Sequence, residues 1–170
     1  MTRIVPTDLQ PNFARVQLLV LDVDGVLTDG GLYYTASGEE FKKFNVKDGM
    51  GIKLILKAGI QAAIITASEA PATRHRAQKL GIQHVRVGVE DKLTALKELC
   101  QKLELDLSQV AYMGDDINDL PPMRAVGCPL TVADAMPANR AVAIYITEKS
   151  GGDGAVREIC NLLLSLHGKT

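Results

Sequence analysis

Asp22 and Asp24 stand one residue apart at the end of the apolar run Leu18-Leu19-Val20-Leu21, and Gly25 follows them. Two carboxylates at the end of a buried segment are costly unless something compensates them. A divalent cation is the natural partner, because Mg²⁺ favours a few carboxylate oxygens together with water and phosphate. Further along, Thr66 ends a second apolar run, Lys92 follows a third, and Asp115, Asp116 and Asp119 follow a fourth. Carboxylates gathered in one place repel one another, which raises their pKa values until a cation neutralises them. Such a cation also attracts a phosphate dianion and offsets charge during phosphoryl transfer. Lys92 would add a point charge, and Thr66 and loop N–H groups would add donors. One carboxylate could then attack phosphorus to give an aspartyl-phosphate. A second, two residues on, could protonate the leaving alkoxide and later deprotonate water.

Taken singly, each piece has a plainer reading. Asp-x-Asp-Gly is a common turn sequence, Thr66 could simply end a strand, and Lys92 could be a solvated helix residue. Gly114-Asp115-Asp116 with Asp119 could be a loop with a helix cap. Their order along the chain, and their arrival at strand ends, favours the site.

The elements that would deliver these groups are read from periodicity. Residues 1–12, with Pro6 and Pro11, read as a loose arm. Strands are expected over 16–21, 61–66, 84–87 and 110–113, with short ones over 130–132 and 143–146. Helices are expected from about Asp48 to Gly59, from Pro71 to Leu80 with Ser68 as cap, and over 91–103. A last helix presents Val156, Ile159, Cys160, Leu163 and Leu166 on its inner stripe. Alternation at this spacing implies βαβ units: an α/β, doubly wound, Rossmann-like parallel sheet of five to six strands. Ligands bind such sheets at the carboxyl ends of the strands. Residues 28–45 break the pattern and read as an inserted β-hairpin turning at Gly38, whose aromatics need a surface to cover: a subunit contact is favoured over a lid or a plain surface flap. The 170 residues read as one domain.

A net charge of −1 with no basic run argues against a nucleic-acid surface or an anionic membrane patch. Cys100, Cys128 and Cys160 match no zinc spacing and read as buried free thiols of a reducing compartment. The N-terminus lacks a signal-peptide pattern, and a soluble cytoplasmic protein is expected.

Asp22-Val23-Asp24-Gly25, Thr66, Lys92 and Gly114-Asp115-Asp116-Ile117-Asn118-Asp119 resemble the motifs of the haloacid dehalogenase superfamily of phosphotransferases. Gly25-Val26-Leu27-Thr28-Asp29-Gly30, Phe44-Asn45-Val46-Lys47-Asp48-Gly49 and Gly151-Gly152-Asp153-Gly154-Ala155-Val156-Arg157-Glu158 resemble, more closely, the 3-deoxy-D-manno-octulosonate 8-phosphate phosphatases. The nonulosonate 9-phosphate phosphatases share much of the pattern. The resemblance implies Asp22 as nucleophile and Asp24 as general acid/base. It implies that Thr66 and Lys92 hold phosphoryl oxygens, with Ser68 also on the substrate side. Mg²⁺ would bind the Asp22 carboxylate, the Asp24 carbonyl and Asp115, with Asp116 or Asp119 supporting it from behind. It further implies no separate cap domain, and a homotetramer in which the inserted hairpins pack together and a neighbouring subunit helps cover the site of a small sugar-phosphate substrate. The chain departs from the family at Ala67-Ser68, where Gly-Arg is usual and the arginine contacts the sugar acid. Loss of that contact should weaken binding of an acidic sugar by about 1.5–3 kcal/mol. Two rivals differ in class. A receiver-type module would need its acceptor aspartate after the third strand, where Val87-Gly88 stands, and a catalytically idle relative would not need every catalytic position filled.

Overall fold

Leu18, Leu19, Val20 and Leu21 leave no polar side to their strand, so it has to lie inside a sheet covered on both faces. In the computed structural model, which describes residues 5–168, all four are fully buried. The chain runs α1 (Gln10–Ala14), β1 (Leu18–Leu21), the hairpin β2 (Tyr33–Tyr34) and β3 (Glu40–Phe41), α2 (Val46–Lys57), β4 (Gln61–Ile65), α3 (Pro71–Leu80) and β5 (His84–Arg86). It continues through α4 (Lys92–Leu103), β6 (Val110–Met113), α5 (Leu120–Ala125), β7 (Cys128–Thr131), α6 (Pro137–Val142), β8 (Tyr145–Ile146) and α7 (Ala155–Leu166). Six strands form one parallel sheet in the order β5-β4-β1-β6-β7-β8.

Alternation along β1 sorts the core. Leu19 and Leu21 face a layer that includes Ile52 and Ile55 of α2 and Val156, Ile159 and Leu163 of α7. Leu18 and Val20 face the opposite layer, with Leu96 and Leu99 of α4 and Met123 of α5. From β1 the chain winds outward to β4 and β5, then returns across to β6, β7 and β8. Loops leaving β1 and β6 therefore diverge, opening a crevice between their carboxyl ends.

Several expected boundaries move. β1 starts at Leu18 and not at Val16, and β5 ends at Arg86. The stretch read as a loose arm holds α1 within its described part, because Phe13 is buried edge-on against Tyr145, ring centroids 5.8 Å apart. Residues 1–4 of that arm lie outside the described residues. Helix α2 begins at Val46, since the Asn45 side chain already caps it by accepting from the Lys47 amide at 2.8 Å. Helix α3 is not capped by Ser68. Its N-cap is Ala70, with Pro71 supplying the first turn, and the Ser68 hydroxyl instead accepts from the Ala70 amide at 3.3 Å. Helices α5 and α6, absent from the periodicity reading, are only six residues each, and proline at their first positions was their signal.

The expected hairpin forms, with Tyr33 opposite Phe41 and their rings stacked at 5.5 Å, and with Gly38 at φ +85° in the turn. Its strands are only two residues long.

Candidate active site

The loop after β1 is built to present Asp22. The amides of Val26, Leu27 and Thr28 all reach the Val23 carbonyl, coiling the chain tightly. The Thr28 hydroxyl accepts from the Gly25 and Gly30 amides. Gly25 takes φ +82°, and a Cβ there would fall 2.0 Å from Asp115 Oδ2, so only glycine lets the two loops meet. Beneath the loop, Gly151 presses on the Gly25 carbonyl: a Cβ at Gly151 would lie 1.9 Å from that oxygen. The Gly152 amide donates to Val26 O, and Asn45 Nδ2 donates to Gly152 O at 3.1 Å. Thus the motifs around Asn45 and Gly151 brace the loop from below.

Asp22 is 5% exposed. Its Oδ1 accepts from the Val23 amide at 2.7 Å, and its Oδ2 lies 2.9 Å from Lys92 Nζ. Lys92 is the first residue of α4, which Asp91 caps, and its ammonium also lies 2.8 Å from Asp119 Oδ1. Asp119 is fully buried and fully engaged. Its Oδ1 also accepts from the Tyr112 hydroxyl at 2.8 Å, and its Oδ2 from the Asp115 amide at 3.1 Å and the Asp116 amide at 3.5 Å. Asp116 is exposed and accepts from its own neighbour, the Ile117 amide, at 2.7 Å. The loop is fixed from the other side by Thr131, whose hydroxyl donates to Gly114 O at 2.6 Å, and by Asn139, whose amide donates to Asp116 O at 2.8 Å.

Oxygens of Asp22, Asp115 and Asp119 come within 4.8 Å of one another. One ammonium cannot balance them. Burial, then the Asp119 charge, push Asp22 up to about 7 even with Lys92 opposing. Burial, then Asp22, Asp119 and Asp116, push Asp115 up to about 8. Asp115 Oδ1 is buried with no hydrogen-bond partner. An orphaned carboxylate oxygen among hard oxygen donors is what a divalent cation site requires, so the residues present fit Mg²⁺.

Above this cluster opens a cavity of about 420 Å³, lined by Asp22, Asp24, Thr66, Ser68, Asp115 and Asp116, among others. Thr66 reaches it from the end of β4, its amide donating to Arg86 O and its carbonyl accepting from Val89. The Thr66 hydroxyl accepts from the Ser68 amide at 3.2 Å, which leaves its proton for a ligand. Lys92 does not line the cavity and approaches Asp22 from the buried side. The structure therefore brings Asp22, Asp24, Thr66, Ser68, Asp115 and Asp116 to one cavity, with Lys92 and Asp119 beneath it. Arg76 is not part of the lining, because its guanidinium donates to Asn45 O at 3.1 Å and sits over the Phe44 ring. Tyr112, Thr131 and Asn139 escaped the sequence reading, since each is a single polar residue in an apolar or loop segment with no spacing signal. Lys42 escaped it as one of two adjacent hairpin lysines; its ammonium lies 2.6 Å from Asp24 Oδ1.

Residues 88–159 match the haloacid dehalogenase-like hydrolase family. Over 97% of this chain and 88% of the relative, the sequence is 46% identical to the 3-deoxy-D-manno-octulosonate 8-phosphate phosphatase KdsC of Escherichia coli strain B / BL21-DE3. The chain belongs to the 3-deoxy-D-manno-octulosonate 8-phosphate phosphatase family. As a member it is a phosphoric monoester hydrolase. Among solved structures, the family's Yersinia pestis enzyme superposes with a TM-score of 0.95 at 45% identity, covering 97% of this chain and 89% of that one. The Moraxella catarrhalis phosphatase, solved with magnesium ion, phosphate ion and KDO, gives 0.92 at 43% identity, covering 94% and 91%.

Proposed function

We propose that this phosphatase hydrolyses 3-deoxy-D-manno-octulosonate 8-phosphate with Mg²⁺, through an aspartyl-phosphate on Asp22. The observation that carries the reading is Asp22 itself: a buried carboxylate facing a cavity of about 420 Å³, beside an unpartnered Asp115 oxygen. Asp22, Asp115 and the Asp24 carbonyl would hold the ion, which supplies charge neutralisation for the phosphoryl oxygens when bound.

A carboxylate oxygen of Asp22 attacks phosphorus in line with the sugar oxygen. As the P–O bond to the sugar breaks, the Asp24 carboxyl gives its proton to the departing oxygen. Water then attacks the aspartyl-phosphate and passes its proton to Asp24. The bond from phosphorus to Asp22 breaks, phosphate leaves, and both carboxyl groups regain their starting forms. Thr66 donates its hydroxyl hydrogen to a phosphoryl oxygen. Lys92 favours the anionic form of Asp22 against the pull of burial and Asp119, and orients it. Asp119 holds Lys92 and the amides that shape the Asp115 loop.

The relatives' substrate class supports the eight-carbon sugar acid. The cavity wall after Thr66 is neutral, Ala67 and Ser68, so the substrate's carboxylate is held less firmly than a guanidinium would hold it. A homotetramer belongs to the same reading. Leu32, Tyr34 and Phe41 around the hairpin, with Val46 and Met50 just beyond, are 50–79% exposed, a cost that burial between subunits would relieve. A cytoplasmic site of action fits its three buried, unpaired cysteines.

The test is phosphate release from a panel of eight- and nine-carbon sugar-acid phosphates and neutral sugar phosphates, with and without Mg²⁺. The eight-carbon acid should be turned over fastest, and only with the metal. Asp22→Asn should lower kcat by about 10³-fold or more with the circular dichroism unchanged. Parent-like release from that variant would remove the nucleophile from Asp22, and a faster nine-carbon substrate would overturn the substrate.

A further inference from the structure

Adjacent hairpin lysines have opposite fates. Lys43 is 64% exposed and pairs with Asp29 at 3.3 Å. The Lys42 side chain is 2% exposed, and its ammonium lies 2.6 Å from Asp24 Oδ1 and 2.9 Å from Glu40 Oε1. Burying an ammonium is costly unless carboxylates surround it. A hairpin that served only to cover surface had no need to accept that cost. What Lys42 obtains is a fixed contact with one oxygen of Asp24. Among the described residues no other side chain hydrogen-bonds the Asp24 carboxylate, and its Oδ2 carries no hydrogen bond. Asp24 is the half-exposed member of the pair, 34% exposed against 7% for Asp22. An unbraced carboxylate on that loop would sample several rotamers, and only one suits proton transfer to an oxygen on phosphorus.

We propose that Lys42 is a positioning residue for Asp24: anchored by Glu40, it takes Oδ1 and leaves Oδ2 turned to the cavity for proton transfer. The inserted hairpin is then part of the proton-transfer apparatus as well as a surface element. The inference rests on the aspartyl-phosphate reading with Asp24 as acid and base, and not on which sugar phosphate is the substrate.

Misplacing Asp24 harms the two half-reactions unequally when the leaving group changes. A p-nitrophenolate departs without a proton, so attack by Asp22 on p-nitrophenyl phosphate needs no acid. Breakdown of the aspartyl-phosphate still needs a base. Lys42→Met keeps the buried stem and removes the charge. On mixing Mg²⁺-loaded Lys42→Met with p-nitrophenyl phosphate, we expect a burst of nitrophenol approaching one per site, followed by steady turnover about 10- to 100-fold slower than the parent's. Acid-trapped phosphoenzyme should rise, and kcat and KM should fall together. With the sugar-acid phosphate, whose leaving oxygen needs the proton, the burst should be absent. Lys42→Arg should recover part of the rate. Glu40→Gln should show the same pattern more weakly, by about threefold, and carries the test alone if Lys42→Met does not fold. Lys42→Met added to Asp24→Asn should cost almost nothing further.

General damage to the site would slow attack as well, and no phosphoenzyme would accumulate. That result, turnover within about twofold of the parent, or additive losses in the double variant would overturn the proposal. Failure of the substrate assignment would show separately, as a parent enzyme that turns over the aryl ester but not the eight-carbon acid.

Discussion

The Lys92 ammonium lies 2.9 Å from Asp22 and 2.8 Å from Asp119, with its side chain 1% exposed. The Arg86–Glu98 pair is shorter, 2.6 Å, but its side chains are 37% and 57% exposed. Solvent decides their relative worth. An exposed pair contributes about 0.2–1 kcal/mol, whereas removing one partner of a buried pair costs about 3–5 kcal/mol. Lys92→Met should therefore lower the urea-derived stability by about 3 kcal/mol or more and abolish phosphate release, while Arg86→Ala should change stability by less than about 1 kcal/mol. Equal effects of the two in urea denaturation would mean that the buried pair contributes no more than the exposed one. Tyr112 belongs at this scale too. Burial, then the Asp119 charge, drive its phenol well above the usual range, so it stays a neutral donor to Asp119.

Elements meet here through small residues. A Cβ on Gly51 of α2 would lie 2.9 Å from Arg157 Cδ and 3.0 Å from Cys160 Cβ of α7, so glycine sets how closely the two helices approach. Asp48 of α2 accepts from the Arg157 amide at 2.8 Å, serving the first turn of α7, which has no side-chain cap of its own. The hairpin behaves differently. Inwardly it is tied to the loop after β1, by Lys42 to Asp24 and by the Tyr33 hydroxyl, which donates to Asp29 at 2.7 Å. Outwardly it presents Tyr34 at 57% and Phe41 at 51% exposure. Tyr34→Asp with Phe41→Asp should split the proposed tetramer, seen as a fall in mass by light scattering. An unchanged mass would place the subunit contact elsewhere.

Across the whole molecule, carboxylates stacked where β1 and β6 end make stability depend on pH and metal together. The ordinary aspartate value is 3.8, and the fold raises Asp22 to about 7 and Asp115 to about 8. Between about pH 4 and pH 8 the folded, metal-free protein keeps protons that the unfolded chain has released. Its stability must then fall as pH rises through that window. A cation bound to the deprotonated carboxylates releases those protons, so its stabilisation grows with pH. The rise in Tm on adding Mg²⁺ should be larger at about pH 8.5 than at about pH 6, by differential scanning fluorimetry. Equal rises would show that the ion binds without displacing those protons. Among the described residues, no helix is long and apolar enough to cross a membrane.

Sequence by itself determined the parallel sheet and the residues on the edge that carries the candidate site. Hydrophobic runs and their spacing are local, and a strand buried on both faces can only be central, so Asp22, Asp24, Thr66 and Asp115 had to collect at neighbouring strand ends. The hairpin was legible for the same reason, as aromatics and a glycine turn in a place where a short loop is usual. Tertiary structure alone decided the partners. Tyr112 reads as one more core residue of β6, and Lys42 as one more surface lysine, until packing brings each within 2.8 Å of a carboxylate. It also decided that Ser68 turns into a loop and leaves the helix start to Ala70-Pro71. Periodicity reports which face a side chain occupies. Which polar group waits on that face depends on segments 7 to 27 residues away, as the separations of Tyr112 and Lys92 from Asp119 show, and only the folded chain brings them together.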